Sequence, residues 1–407
     1  IILALTFGYT MIVAETSIGR MTKKSPVGAF KFFGNSKFAS LGGWINAIIP
    51  ILIVPYYSVI GGWVVKYLIE YIKGNGHALS ADGYFSTFIS NGVSTELCFI
   101  AFSLLTLIIV FAGVKNGIER VSKIMMPILV VLSCVITVYS VTRPGALEGV
   151  KYFLVPNFKN FSWMTVVTAM GQMFYSLSIA MGILITFGSY TEKEVSIENS
   201  TENVEVFDTA IAIMAGLMII PAVFAFSNGN MDNLNAGPSL MFITIPKVFD
   251  SMGLGTLIGI LFFVLVLFAA LTSSIALTEC AVSTFQDELK WSRHKSVCIL
   301  GVIMLALGSL SSLGYGPLAS IQIIGMQFLD FFDFLTNSVM MPISAICICL
   351  LVSKVIGVDK IAQEVKSHNN PFKREKIFNF MIKYVCPIFA AIILLSSVAN
   401  AFGIIKM

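Results

Sequence analysis

The string Ala269-Ala270-Leu271-Thr272-Ser273-Ser274 puts two hydroxyls three and four residues after the Ala269 carbonyl, inside a stretch that is otherwise apolar. Such an oxygen cluster suits a hard cation such as Na⁺. The same letters also read as membrane Ser and Thr hydrogen-bonding carbonyls four residues back. A second string, Gly171-Gln172-Met173-Phe174-Tyr175-Ser176-Leu177-Ser178-Ile179-Ala180-Met181-Gly182, is loosened by glycine and serine. A break there frees backbone carbonyls, which membrane interiors tolerate only beside a cavity where an ion or substrate binds. A kinked packing helix with small residues at a helix contact fits these letters equally. Acids within apolar stretches are costly, and so informative: Glu15, Asp208, Glu279, Asp330 and Asp333. For Glu15 and Glu279 the reading is a satisfied interior carboxyl. Tyr56 and Tyr57, after Pro55, lie too deep for an interfacial belt, and a buried tyrosine hydroxyl needs a partner such as a substrate carboxylate.

Nothing comparable supports bond-making chemistry. The seven cysteines all fall in apolar stretches without a CxxC pair, and read as ordinary thiols. His77, His294 and His368 are isolated in predicted loops. A membrane enzyme would need a converging nucleophile or acid–base set, which the letters do not provide.

The elements that must position these residues are membrane helices. Of 407 residues, 57% are hydrophobic and 12% charged, and the mean hydropathy is +0.87. A soluble domain of this length carries far more charge. Apolar blocks of about 20 residues match the bilayer core, and barrel-type alternation is absent. Ten spans are predicted, near 1–19, 40–70, 92–113, 122–142, 163–190, 207–228, 250–285, 296–313, 319–353 and 377–403. Lys and Arg concentrate in the loops after the first, third, seventh and ninth spans, which places those loops in the cytoplasm. The loop after the fifth span shares that parity although it is acidic. A net charge of +4 gives no reason to invoke nucleic acid. The chain opens at Ile1 with an apolar block and no signal-peptide pattern, so upstream sequence is expected.

Five strings together resemble the neurotransmitter:sodium symporter family: Gly117-Ile118-Glu119-Arg120; Gly171 to Ser178 of the string above; Leu271-Thr272-Ser273-Ser274-Ile275-Ala276; Gln286-Asp287-Glu288-Leu289; and Asn235-Ala236-Gly237-Pro238. They occur in family order over nearly the whole chain, and are most similar to the bacterial amino-acid branch with eleven spans. The resemblance implies an all-α, leucine-transporter-like bundle of two inverted five-helix repeats plus one extra helix. Residues 1–407 then form one transporter domain, with 1–142 the remainder of the first repeat, 163–353 the second, and 377–403 the extra helix. The ten spans correspond to family helices 2 to 11, and the first family helix would lie upstream of Ile1.

The resemblance also implies roles. Tyr57 matches the tyrosine that bonds the substrate carboxylate. Ser176 and Asp208 match ligands of a first sodium site; Ala269, Thr272 and Ser273 match those of a second. Ile53, Tyr175, Ser178, Met181 and Leu277 match the wall around the substrate side chain, beside Ser176 and Ser273, with Tyr175 also resembling an aromatic lid. Asp333 fits the outer-gate acid better than Asp330. Asp287 matches the inner-gate acid, with an arginine partner upstream, and Tyr190 and Ser189 join that cytoplasmic network. Chloride-dependent relatives carry asparagine and serine where this chain has Asp208 and Ala212, so a fixed carboxylate is expected to replace the anion. The expected function is Na⁺-coupled symport of a hydrophobic or aromatic amino acid across a bacterial inner membrane. A non-transporting binding or regulatory protein, or an inactive piece of the family, is the alternative.

Overall fold

The computed structural model describes residues 1–34, 37–227 and 237–403; Asn235 and Ala236 of the fifth string lie outside these. Most of the described residues are helical, joined by short turns. A wide turn at Ala4–Gly8 leads into α1 (Tyr9–Thr22), which Lys23 ends in a left-handed conformation, φ 54°. Pro26 then opens α2 (Pro26–Phe33), where its missing N–H and fixed φ cost nothing. α3 (Lys37–Ile72) carries Pro50 and Pro55 inside it. There follow α4 (Gly92–Phe111), α5 (Val114–Val141), α6 (Ala146–Leu154), α7 (Trp163–Ser176), α8 (Ile183–Tyr190) and α9 (Ile197–Ser227). After the short α10 (Ile245–Asp250) come α11 (Gly255–Leu289), α12 (Arg293–Leu313), α13 (Phe328–Ile356), α14 (Val358–Val365) and α15 (Glu375–Ala401).

Among the described residues, α3, α4, α5, α9, α11, α12, α13 and α15 are each long and apolar enough to cross a bilayer. The remaining two expected spans are α1 with the turn before it, and the α7–α8 pair. Two boundaries move: the span expected at 207–228 starts ten residues earlier, at Ile197, so that Glu198, Glu202 and Glu205 of the expected acidic loop lie on α9, and the span expected at 319–353 begins at Phe328. Residues before it form turns with left-handed Ile324 and Gly325, and Gln327 is extended. Hydropathy merged this apolar turn with the helix because it counts letters and is blind to backbone reversal.

Packing falls largely into two groups, bridged by α5, which lies on both α9 and α11. α3 lies most extensively against α11 and also against α4 and α12, while α12 packs on α4. Separately, α1 lies along α8, and α9 along α5 and α6. The α1–α8 approach needs glycine on both sides. A methyl on Gly19 would sit 2.0 Å from the Ile185 carbonyl oxygen, and one on Gly188 2.5 Å from that of Thr16. Both obstacles are backbone, so the helices would have to separate. Gly19→Ala is therefore expected to destabilise by about 1–3 kcal/mol, the usual cost of overpacking. Gly171→Ala, where nothing lies within 4 Å, is the control. Thermal unfolding of the two variants in detergent, followed by size-exclusion chromatography, checks this.

Candidate functional site

Helix α7 stops at Ser176 and α8 starts at Ile183. Between them Ser178 (φ 53°), Ala180 (φ 61°) and Gly182 (φ 75°) alternate into the left-handed region. For the two residues other than glycine this costs about 1–2 kcal/mol each, so surrounding structure must hold them. Glu15 of α1 does so: its Oε1 accepts the Ala180 N–H at 2.7 Å. Glu15 is fully buried, and its second oxygen has no partner among the described residues. Of the two readings left open for the 171–182 string, the broken helix is the one observed.

Beside the break lies a cavity of about 50 Å³. The break supplies Ser178 and Met181, with Ile183 at the start of α8 and Tyr175 at the end of α7. α3 adds Ile53 and Tyr57, one turn apart; α11 adds Ser273, Ala276 and Leu277. The wall is mostly apolar, and its polar side chains are those of Tyr57, Tyr175, Ser178 and Ser273. Tyr57 and Ser273 meet side chain to side chain. Tyr175, 39% exposed, sits at the rim. Thus every residue expected around the substrate lines one cavity except Ser176, which is exposed and bonds Asp208 instead.

Ser176, the last residue of α7, donates its hydroxyl to Asp208 Oδ1 of α9 at 2.9 Å. The carboxylate therefore stands at a helix C-terminus, where the dipole's negative end and unpaired carbonyls also favour a cation. On α11, the Thr272 hydroxyl donates to the carbonyls of Ala269 (3.0 Å) and Phe268 (3.1 Å). That is the helical back-bonding pattern, and it gathers the Ala269 carbonyl and the Thr272 oxygen at one place. The oxygen's lone pairs remain free to accept a cation. Ser273 is the next residue and faces the cavity.

Toward the end expected outside, Asp333 Oδ1 accepts from Asn337 Nδ2 at 2.6 Å and from the Tyr56 hydroxyl at 3.3 Å. Asp333 also borders a larger cavity of about 310 Å³ that reaches Tyr175 and Gln172. Asp330 is bonded by the Tyr315 hydroxyl instead, at 3.0 Å. Tyr56 thus finds the partner its depth required.

Toward the other end, the Tyr190 hydroxyl donates to Glu279 Oε1 at 2.8 Å. Glu279, fully buried, also receives both terminal nitrogens of Arg293, at 3.0 and 2.6 Å. Arg293 additionally donates twice to the Val110 carbonyl, which joins the end of α4 to α11 and α12. Asp287 accepts the Ser25 N–H at 2.5 Å, and Ser189 bonds the Thr186 carbonyl of its own helix. So Tyr190 is placed on Glu279, while Asp287 caps the entrance of α2. By its letters Arg293 belongs to the basic loop expected after the seventh span, and no spacing rule links it to Glu279, because the chain reverses between them.

Comparison with known proteins bears on this arrangement. The sequence profile of the Sodium:neurotransmitter symporter family matches residues 85–404. An uncharacterised sodium-dependent transporter of Bacillus subtilis (strain 168), YhdH, is 32% identical over 410 residues, covering all of this chain and 89% of the relative. One from Haemophilus influenzae is 30% identical over 408 residues, covering 97% of this chain and 88% of the relative. Among solved structures, the crystal structure of MhsT in complex with L-phenylalanine superposes with a TM-score of 0.86 at 35% identity, covering 97% of this chain and 89% of that one.

Proposed function

This chain belongs to the sodium:neurotransmitter symporter family, and we propose that it couples Na⁺ entry to uptake of a hydrophobic or aromatic amino acid without chloride. What the family carries is plain: it is a multi-pass membrane protein of leucine-transporter-like architecture, a sodium-dependent transporter and not an enzyme. Substrate, ion sites, anion independence and a bacterial inner-membrane location belong to the proposal, as does the division into repeats at 1–142 and 163–353 followed by the helix at 377–403.

One observation carries the substrate class. The cavity at the helix break offers aliphatic wall from Ile53, Met181 and Leu277 and few polar groups, so it suits an apolar side chain. Met181 has the flexibility to fit several such side chains. The likeness to MhsT, solved with L-phenylalanine, supports the same class. Tyr57 is positioned to bond the substrate carboxylate. Na⁺ would take Ser176 and Asp208 at one site, and Ala269, Thr272 and Ser273 at the other. Asp333 lies at the outer gate; Tyr190, Ser189 and Asp287 lie at the inner one. Transport then proceeds by alternating access. Sodium favours an outward-open state, substrate fills the cavity, and rocking of the α1–α8–α9 group against α3, α4, α11 and α12 opens the cytoplasmic side. No covalent step is required.

Asp208 explains why no anion is needed. A carboxylate hydrogen-bonded to Ser176 neutralises charge beside the first ion, and Ala212, four residues on, offers nothing to a chloride.

Amino-acid binding to detergent-solubilised protein tests the pocket. Tyr57→Phe keeps the ring and its packing while removing the hydroxyl. It is expected to weaken amino-acid binding about 10- to 100-fold, the worth of one hydrogen bond to a charged group. Equal affinity in the two proteins would remove Tyr57 from the substrate site.

A further inference from the structure

The cytoplasmic segment 357–376, between α13 and α15, does more than connect two helices. α14 turns Val358, Ile361, Ala362 and Val365 inward and packs on α1. At its end Glu364 meets Arg20, the last-turn arginine of α1, which is fully buried. Arg20 donates Nε to Glu364 Oε1 at 2.6 Å, Nη2 to the Glu364 carbonyl at 2.5 Å and to Ser367 Oγ at 3.0 Å. Its Nη1 donates to the Val195 carbonyl at 2.6 Å. One guanidinium therefore joins the inner end of α1, the chain leaving α8, and the connecting segment.

Further along, the same segment grips α9. Arg374 Nη1 donates to Glu205 at 2.9 Å and its guanidinium lies 4.6 Å from the centre of the Tyr9 ring. Glu198, also buried, accepts the Lys373 N–H at 2.9 and 2.8 Å and the Tyr9 hydroxyl at 3.2 Å. Glu198, Glu202 and Glu205 fall on one face of α9, and Arg374 reaches two of them. Each clasp is a set of charge-assisted bonds, stronger than neutral ones and dependent on fork geometry.

We infer that segment 357–376 is a cytoplasmic latch, clasped by Arg20–Glu364 on α1 and by Arg374–Glu205 on α9, and that both clasps must release before the inner side opens. The inference rests on the alternating-access reading above. α1 and α8 cannot swing away from α13 at their inner ends while Arg20 bonds Val195 and Glu364 together. Glu279, Tyr190 and Arg293 join α8, α11 and α12; the latch acts through a different set of residues, which ties α1, the chain leaving α8 and α9 to segment 357–376. Arg20 and Arg374 are positioning residues, touching neither ion nor substrate.

Cys280 supplies a native reporter. It is fully buried one turn below Leu277, toward the cytoplasmic end of α11, with its sulfur against Met181 and Thr186. Alkylation of Cys280 by a membrane-impermeant maleimide is measured in inside-out vesicles by peptide mass spectrometry, with Na⁺ or with K⁺. Glu364→Gln and Arg374→Gln are compared with native protein, after size-exclusion chromatography has established that they fold. Glu364→Gln preserves shape at a partly exposed side chain. In K⁺ each variant is expected to label at least about fivefold faster than native, as loss of a charge-assisted bond implies. Na⁺ should suppress that gain, because it draws the population back to the closed inner face; a merely loosened protein would label fast in both media. Native-like rates in folded variants, or rapid labelling indifferent to Na⁺, would overturn the latch. If native protein shows no Na⁺-dependent uptake, the transport reading fails, and the K⁺ rates alone then judge the latch.

Discussion

In chloride-free medium, Asp208→Asn is expected to raise the Na⁺ concentration for half-maximal uptake at least about tenfold, and added chloride is expected not to recover the loss, because Ala212 remains. The expectation follows from what the carboxylate replaces. Two unit charges about 4 Å apart at an effective dielectric near 20 interact by about 4 kcal/mol, and tenfold in affinity needs only about 1.4 kcal/mol of that. Asparagine keeps the shape and still accepts the Ser176 hydroxyl, bonded in the native protein at 2.9 Å, so geometry is preserved while the charge is lost. Chloride is not expected to replace the lost carboxylate, since Ala212 gives a mobile anion no hydrogen-bond donor beside the ion. Uptake of a labelled amino acid, titrated with Na⁺ in gluconate and in chloride, reads both effects. Native-like sodium dependence in the variant would remove Asp208 from the ion site.

Arg293→Ala is expected to be the most destabilising of the substitutions considered, costing about 3 kcal/mol or more, while Glu279→Gln costs much less. The asymmetry lies in what each change leaves behind. Glu279 is fully buried, and removing Arg293 strands its charge, the situation in which broken ion pairs cost about 3–5 kcal/mol. Tyr190 continues to donate one bond, which holds the figure at the lower end. Glu279→Gln instead neutralises the buried partner, and Arg293, 19% exposed, keeps its bonds to the Val110 carbonyl and some water. Thermal unfolding in detergent compares the two. Equal losses would mean that the pair is not the buried element described.

Much of the site was legible through the family resemblance, which named the wall residues; the local strings by themselves pointed only to the helix break and the hydroxyl cluster. The break at Leu177 to Gly182 was readable from small residues and hydroxyls, although spacing alone left a kinked helix equally open; Glu15 holding Ala180 decides it. Ile53 and Tyr57 lie one turn apart on α3, and Ser273 and Leu277 one turn apart on α11, so helical periodicity carries each pair into the cavity together. What the letters could not supply were partners far apart in the chain. Arg20 reads as a positive-inside loop charge, yet it is buried against a segment more than three hundred residues on. Arg374 and Glu205 are likewise distant in sequence. Charge counts assign such residues to a side of the membrane without distinguishing a solvated cation from a clasp. The apolar turn before Phe328 was lost for a related reason, since hydropathy does not sense left-handed backbone at Ile324 and Gly325.

The most direct measurement is uptake of labelled phenylalanine, leucine and other apolar amino acids into proteoliposomes under an inward Na⁺ gradient, with K⁺ replacing Na⁺ as the control and gluconate replacing chloride in both. Accumulation that needs Na⁺, persists without chloride and collapses when the Na⁺ gradient is dissipated is the predicted result. Reconstituted, folded protein that accumulates none of these amino acids above the K⁺ control would contradict the assignment of an apolar amino-acid symporter.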